Sequence, residues 1–289
     1  MTARATHRVG LIGWPVAHSV SPAMFNAAFA ALGLNWHYDA YPIPPADLAA
    51  GFRALQAAGL RGMNVTVPHK RAVIDLLDGI RPEAQLIGAV NTITAVVEGS
   101  VTHWEGTNTD AAGLHEDLFT LVGLPEPGAS ALILGAGGAA RAATVVLARQ
   151  GYALTIASRT PERGEQLVSE ARRNLPAQTE AHAIPWEVLR RIDLSQVRLI
   201  VNCTPVGMWP HDDETPWPAD LAIPPGAVVY DMVYRPAQTR LMRQALDRGA
   251  MAYNGLGMLV RQGAAAFTLW TGREAPVDIM LHAARQALG

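Results

Sequence analysis

Residues 131–142 read ALILGAGGAARA. A short apolar run ends in Gly135-x-Gly137-x-x-Ala140, and alanine-rich, helix-forming sequence follows at once. A strand, a tight glycine turn and a helix N-terminus in that order make the phosphate-binding corner of a dinucleotide fold. Gly135 forms the turn and Gly137 lets a pyrophosphate approach the backbone, so cofactor contacts are expected over Gly135, Ala136, Gly137, Gly138 and Ala139. Glycines also serve plain structural turns; the strand before this one and the helix after it give it its meaning.

In such a fold the choice of cofactor is made about twenty residues on, at the end of the next strand, where a carboxylate on the ribose hydroxyls selects NAD. Here the strand expected at 153–157 ends in Ser158-Arg159-Thr160. No carboxylate stands there to repel a 2′-phosphate, and Arg159, with Arg163 at the start of the next helix, can grip it through charge-assisted hydrogen bonds. The expected cofactor is NADP (NADPH). Without the glycine turn the same two arginines would read as solvated surface residues.

Outward from this stretch, apolar runs bounded by Gly and Pro alternate with Ala- and Leu-rich segments, the rhythm of an α/β protein with mostly parallel sheets. Upstream, strands are expected at 9–13, 36–41 and 62–67 and helices at 22–32, 45–58 and 70–77. Ser21 is placed as an N-cap with Pro22 at the first helical position. A hairpin through 92–97 and 101–104 turns at Glu98-Gly99, and a helix follows Asp110. Downstream, strands are expected at 199–202 and 228–232, and helices at 258–270 and 277–288.

A chain of 289 residues is comfortable for two cores. With 23 basic and 25 acidic side chains the formal net charge is −2, so no global field holds nucleic acid or an anionic membrane, and any anion must be caught locally. Cys203 is the only cysteine, which excludes an intrachain disulfide framework and a cysteine-rich zinc site and fits a reducing cytoplasm. No two histidines lie within ten positions of each other, so no helical metal pair exists and no metal is expected. The apolar run at 9–14 is too short for a signal-peptide core, and no later stretch approaches a membrane span. A cytoplasmic protein is expected.

Four polar clusters break otherwise apolar sequence before residue 111: His18-Ser19-Val20-Ser21, Asn64-Val65-Thr66 through Lys70, Asn91-Thr92, and Asn108-Thr109-Asp110. Each stands where a strand ends or a helix starts, the edge that lines a ligand crevice in open α/β sheets. Singly, each has a structural explanation: a cap for Ser21, a turn for Asn91, a solvated lysine for Lys70. Together they offer hydroxyls, amides, one amine and one carboxylate, a set suited to a small polyhydroxylated acid.

WPVAHSVSPAMFN (14–26), NVTVPHK (64–70), GAVNT (88–92), GTNTDAAG (106–113), GAGGAARA (135–142), SRT (158–160), DMVYRP (231–236) and GLGMLVRQ (255–262) resemble, in order and nearly end to end, the shikimate dehydrogenase family. The resemblance implies a two-domain α/β protein. Residues 1–109 and 255–289 would form an α/β substrate domain with a mainly parallel sheet, and 110–254 an inserted Rossmann-type NADP-binding domain. It implies NADP-dependent, reversible reduction of 3-dehydroshikimate to shikimate. Ser19 and Ser21 would hold the substrate carboxylate, and Thr66, Asn91, Asp110 and Gln262 the ring hydroxyls. Asn64 would support the pocket and Tyr234 stand on the substrate side. Met232 and Gly255 would lie near the nicotinamide, with Lys70 and Asp110 as the catalytic pair. The family commonly has His-Asn where this chain has Phe25-Asn26, a change that removes no catalytic group.

Two alternatives stay open at this point. A quinate or broad quinate/shikimate dehydrogenase differs by one ring substituent; Ser21, where quinate-preferring relatives often have threonine, and Ser158-Arg159-Thr160 lean towards shikimate and NADP. A catalytically silent NADP-binding regulator would share the scaffold, yet Lys70 and Asp110 are both in place. No heptad seam or interface motif separates monomer from homodimer.

Overall fold

The computed structural model describes residues 6–175 and 179–289. Contacts within the chain divide it into residues Met1–Gly113 with Leu259–Gly289, and residues Leu114–Met258.

The first unit is built on β1 (His7–Gly13), β2 (Trp36–Pro42), β3 (Gly62–Val65), β4 (Gly79–Ile80), β5 (Thr92–Glu98) and β6 (Val101–Thr107), in the order β2-β1-β3-β5-β6-β4. The β1–β2, β1–β3 and β4–β6 pairings are parallel, and β3–β5 and β5–β6 are antiparallel. Helices α1 (Ser21–Ala31), α2 (Leu48–Ala57) and α3 (Pro82–Ile87) lie between the strands, and α4 starts at Asp110 and runs to Val122.

The second unit carries β7 (Ser130–Leu134), β8 (Ala153–Ser158), β9 (Ala181–Pro185), β10 (Val197–Asn202), β11 (Val228–Asp231) and β12 (Met251–Asn254), all parallel, in the order β12-β11-β10-β7-β8-β9. Counted from β7, this is the doubly wound order, whose direction reverses between β7 and β10. Helices α5 (Gly138–Arg149), α6 (Pro161–Asn174) and α7 (Arg240–Leu246) connect the strands. Leu132, Leu134, Ile200 and Val229 from the sheet pack with Leu189, Trp217 and Leu241 in one buried cluster.

The chain then returns through α8 (Leu256–Thr271) to α9 (Val277–Leu288), which packs on α1. In the first unit, one core cluster groups Ile12, Met63, Val65 and Ile93 with Phe52, Leu60 and Val73. An aromatic cluster joins α1 to α8: Phe29 stacks on Phe267 with centroids 5.2 Å apart, and Phe25 meets Trp270 at 5.4 Å. Gly62 makes room for this indole, since a Cβ there would lie 2.2 Å from Trp270 Nε1. The indole donates to the Ile93 carbonyl at 3.0 Å.

Five local expectations are corrected. Val20, not Ser21, caps α1; Ser21 is the first helical residue with Pro22 next. The strand expected at 62–67 ends at Val65. The helix expected at 70–77 shrinks to a 3₁₀ segment, Ala72–Leu76, so Lys70 lies in a turn. The helix expected at 45–58 opens as a 3₁₀ turn, Pro45–Asp47, before α2. Glu98 pairs with Val101 inside the ladder, which moves the hairpin turn to Gly99-Ser100.

Candidate functional site

Register alone gathers the polar clusters of the first unit at one sheet edge. Ile12 of β1 pairs with Val65 of β3 in parallel, Asn64 opposes Thr92 of β5, and Thr92 opposes Thr107 of β6. The segments leaving β1, β3 and β6 and the segment entering β5 therefore share an edge. These are the segments that hold Ser19 and Ser21, Thr66 and Lys70, Asp110, and Asn91.

Lys70 Nζ donates to Asp110 Oδ2 at 2.6 Å, with both side chains largely shielded from solvent. Lys70 is fixed through its backbone: its carbonyl accepts from Val90 N–H at 2.7 Å, and the preceding residue, buried His69, bonds the Ile43 carbonyl through Nε2 at 2.7 Å. Asp110 opens α4, where a helix favours a carboxylate. The cap is Asn108, whose Oδ1 accepts from Asp110 N–H at 3.0 Å while its Nδ2 donates to the Ala89 carbonyl. Asn108 is thus occupied in building the site.

Asn91 joins the rest. Its Nδ2 lies 2.8 Å from Asp110 Oδ1 and 3.2 Å from Gln262 Oε1, and its Oδ1 accepts from Thr109 N–H at 2.7 Å. Gln262 reaches this cluster from α8 because Gly113 of α4 has no side chain; a Cβ there would lie 2.7 Å from the Gln262 backbone nitrogen. Asn64 Nδ2 donates to Thr92 Oγ1 at 3.0 Å. Lys70, Asp110, Asn91, Gln262 and Asn64 are thereby brought into one hydrogen-bonded set. Thr92 and Thr109 belong to it too; the sequence places both in the polar clusters, but no role was expected of either.

Ser19, Ser21 and Thr66 sit on neighbouring segments of the same edge. Ser19 Oγ accepts from Ser21 N–H at 3.2 Å, which fixes the start of α1. Trp14 N–H donates to the Val67 carbonyl at 2.9 Å, tying the segment after β1 to the one after β3. Gly13 permits that approach: a Cβ there would lie 2.3 Å from Thr66 Cγ2. The Ser21 and Thr66 hydroxyls make no side-chain hydrogen bond among the described residues.

In the second unit the loop after β7 lies where the sheet order reverses. Gly135 has φ +108°, its N–H donates to Ala157 O at 2.8 Å, and a Cβ would lie 2.9 Å from Thr204 Cγ2 beyond β10. Its lack of a side chain is therefore needed by the fold. Gly137, the N-cap of α5, differs: φ is −88°, and a Cβ would meet nothing within 4 Å. Neither backbone nor packing asks for glycine there, while close approach by a pyrophosphate does. The loop fits a dinucleotide on this ground.

Ser158 Oγ donates to Thr160 O at 2.9 Å and accepts from Thr160 N–H, so it shapes the turn that presents Arg159. Arg159 and Arg163 are exposed, and neither forms an ion pair among the described residues. Met232 and Gly255 are brought together, since a Cβ on Gly255 would lie 2.2 Å from Met232 O. Tyr234 follows β11 and is half-buried in the second unit.

Next to these stands Asp231, fully buried, accepting from Asn202 Nδ2 at 2.8 Å, Val233 N–H at 3.1 Å and Thr239 Oγ1 at 2.6 Å. Burial pushes its carboxyl up to about 6, against the lowering effect of those three donors. No group of three or more metal-ligating side chains occurs among the described residues, and no described helix is long and apolar enough to cross a membrane.

Comparison with known proteins gives the family. The shikimate dehydrogenase substrate binding domain matches residues 11–93, and the shikimate 5′-dehydrogenase C-terminal domain matches residues 255–285. The NADP(+) shikimate dehydrogenase of Moorella thermoacetica is 47% identical over 287 residues, spanning 99% of this chain and 95% of that protein. That of Symbiobacterium thermophilum is 46% identical over 290 residues, spanning 99% and 97%. The structure of shikimate 5-dehydrogenase from Thermus thermophilus with NADP(H) and shikimate has a TM-score of 0.82 at 40% identity, covering 98% of this chain and all of that one.

Proposed function

The chain belongs to the shikimate dehydrogenase family, and from that premise we propose that it catalyses the NADP-dependent, reversible reduction of 3-dehydroshikimate to shikimate, with Lys70 and Asp110 managing the proton. The observation that carries the assignment of the pair is the 2.6 Å contact between Lys70 Nζ and Asp110 Oδ2 at the polar sheet edge. Residues 135–139 with Arg159 and Arg163 would hold NADP, which would supply the hydride-transfer chemistry between nicotinamide and the alcohol carbon.

The rest falls to the side chains. In the oxidation direction the substrate hydroxyl must lose its proton as its carbon loses hydride, and in reduction the ketone oxygen must gain one. A hydroxyl within reach of both Nζ and Oδ2 can exchange that proton with the pair, general acid–base catalysis contributing roughly 10² to 10⁴ in rate. Asn91 donates to the other Asp110 oxygen, holding the carboxylate in place. Asn91 and Gln262 also offer amide groups to ring hydroxyls, with Asn64 supporting the pocket. The Ser19, Ser21 and Thr66 hydroxyls suit a compact carboxylate and a neighbouring hydroxyl.

The unit holding these residues is assigned to substrate. The unit with the β7–α5 loop is assigned to NADP, gripped by residues 135–139 and, at the 2′-phosphate, by Arg159 and Arg163 beside Ser158 and Thr160. Met232 and Gly255 are assigned to the nicotinamide end and Tyr234 to the substrate side. The lone Cys203 supports a cytoplasmic location.

An absorbance assay at the reduced-nicotinamide band, with NADP or NAD and shikimate or quinate in all four combinations, tests this reading. Rapid NADP reduction with shikimate alone is the expected result. Comparable rates with quinate or NAD would move the protein to the broader enzyme, and no turnover with measurable NADPH affinity would make it a binding protein.

A further inference from the structure

We propose that Tyr38 is a positioning residue for the reacting pair: its buried hydroxyl begins a one-way chain of hydrogen bonds that passes through Asn64, Thr92 and Asn91 and ends on Asp110. The inference deepens the proposed function and rests on it. The links are Tyr38 Oη to Asn64 Oδ1 at 2.9 Å, Asn64 Nδ2 to Thr92 Oγ1 at 3.0 Å, Thr92 Oγ1 to Asn91 Oδ1 at 3.1 Å, and Asn91 Nδ2 to Asp110 Oδ1 at 2.8 Å. All five residues are buried.

The direction of this chain is forced by two backbone groups that cannot change role. Thr109 N–H can only donate, and it meets Asn91 Oδ1 at 2.7 Å, so the oxygen end of that amide is fixed and Nδ2 faces Asp110. The Asn91 carbonyl can only accept, and it faces Asn64 Nδ2 at 3.3 Å, which fixes the second amide. Thr92 therefore accepts from Asn64, and its one proton goes to Asn91 Oδ1 or to Thr109 Oγ1, each 3.1 Å away, the latter itself bonded to Asn91. Asn64 Oδ1 is left facing Tyr38, whose hydroxyl must be the donor.

Without that donor a buried amide oxygen loses a partner, and the amide shifts to find another. Thr92 and Asn91 move with it, and in a low-dielectric cluster each bond polarises the next, so the effect reaches the Asp110 carboxylate. The phenol itself is held by stacking on Phe25, with ring centroids 4.3 Å apart and planes 9° from parallel. Asn26 holds the strand around it, accepting from Tyr38 N–H and donating to Tyr38 O. Phe25 is thus the platform of the chain.

Tyr38→Phe keeps the stack and removes the hydroxyl alone. Its kcat with shikimate should fall about tenfold, the size expected for one lost hydrogen bond, with NADPH affinity unchanged by fluorescence titration. Thr92→Val cuts the chain further on; in that background Tyr38→Phe should cost nothing more, and Thr92→Ser should restore both activity and sensitivity to Tyr38. The side-chain amide resonances of Asn64 and Asn91 should shift in Tyr38→Phe. Wild-type kcat in Tyr38→Phe, an undiminished tenfold loss in the Thr92→Val background, or an unmoved Asn91 amide would each overturn the proposal. A wild-type protein that never turned over shikimate would instead sink the functional reading, and the amide shift would still test the chain.

Discussion

Lys70 and Arg159 are the residues at which chemistry and recognition separate most clearly. Lys70→Met removes the amine and leaves Asp110 bonded to Asn91. If Lys70 acts on the proton, kcat should fall by about 10²-fold or more while KM for shikimate moves far less. Steady-state kinetics at saturating NADP decides, and a raised KM with kcat intact would make Lys70 a binding group. Arg159→Ala removes a guanidinium with no ion-pair partner among the described residues, so its loss should leave the fold untouched. KM for NADP should rise about tenfold, with any NAD-dependent rate unchanged. At this scale Lys70, Asp110 and Asn91 were legible as polar residues interrupting apolar blocks, and Gln262 only through the resemblance carried by GLGMLVRQ. Tyr38 was not: in WHYDAYP it looks like any strand aromatic, and its partner Asn64 is 26 positions away.

The loop between β7 and α5 carries a prediction in which two glycines of one motif behave oppositely. Gly135→Ala places a Cβ against Thr204 at a φ that L-residues rarely adopt, so stability should drop, by about 1–3 kcal/mol. Gly137→Ala meets no protein atom, so its melting temperature should stay at the wild-type value while NADPH affinity falls, by about tenfold or more. Thermal melts paired with NADPH titrations separate the two, and a Gly137→Ala protein that binds NADPH normally would remove the pyrophosphate from this loop. The same scale shows why some elements escaped the sequence. The segment 70–77 has helical spacing, but its bonds are mostly of the tighter kind, Ile74 N–H to Arg71 O and Leu77 N–H to Ile74 O, while the Lys70 carbonyl meets Val90 N–H, and a 3₁₀ turn results. β4 is two residues long and β12 four, too short for alternation to show. The N-cap moved to Val20 because Ser19 Oγ already bonds Ser21 N–H, drawing Ser21 into the first turn.

Across the whole molecule, eight ordered blocks made the family legible, and the succession of strands after the glycine turn made the doubly wound sheet legible. Periodicity could not supply strand order in the first sheet, where antiparallel β5 and β6 follow parallel β1 to β3. Nor could it show that the aspartate of DMVYRP is a buried hub joining β10, β11 and the Thr239 cap of α7. That hub gives global stability a pH dependence whose sign is fixed by the burial of its carboxyl. Asp231 is raised from the ordinary 3.8 to about 6 in the folded chain, so folding favours its neutral form. The stability it contributes is complete below about pH 4 and is lost as pH rises through about 6, a change of roughly 3 kcal/mol for a shift of this size. Asp231→Asn has nearly the same shape and cannot ionise. Its Oδ1 can still accept from Asn202 and Val233, and its Nδ2 can donate to Thr239 Oγ1. Any fixed cost of that rearrangement is the same at every pH. In urea unfolding, the stability of Asp231→Asn relative to wild type should therefore grow in the variant's favour between about pH 4 and pH 7. A difference that stays constant over that range would mean the carboxylate is as well solvated by its three donors in the folded chain as by water in the unfolded one.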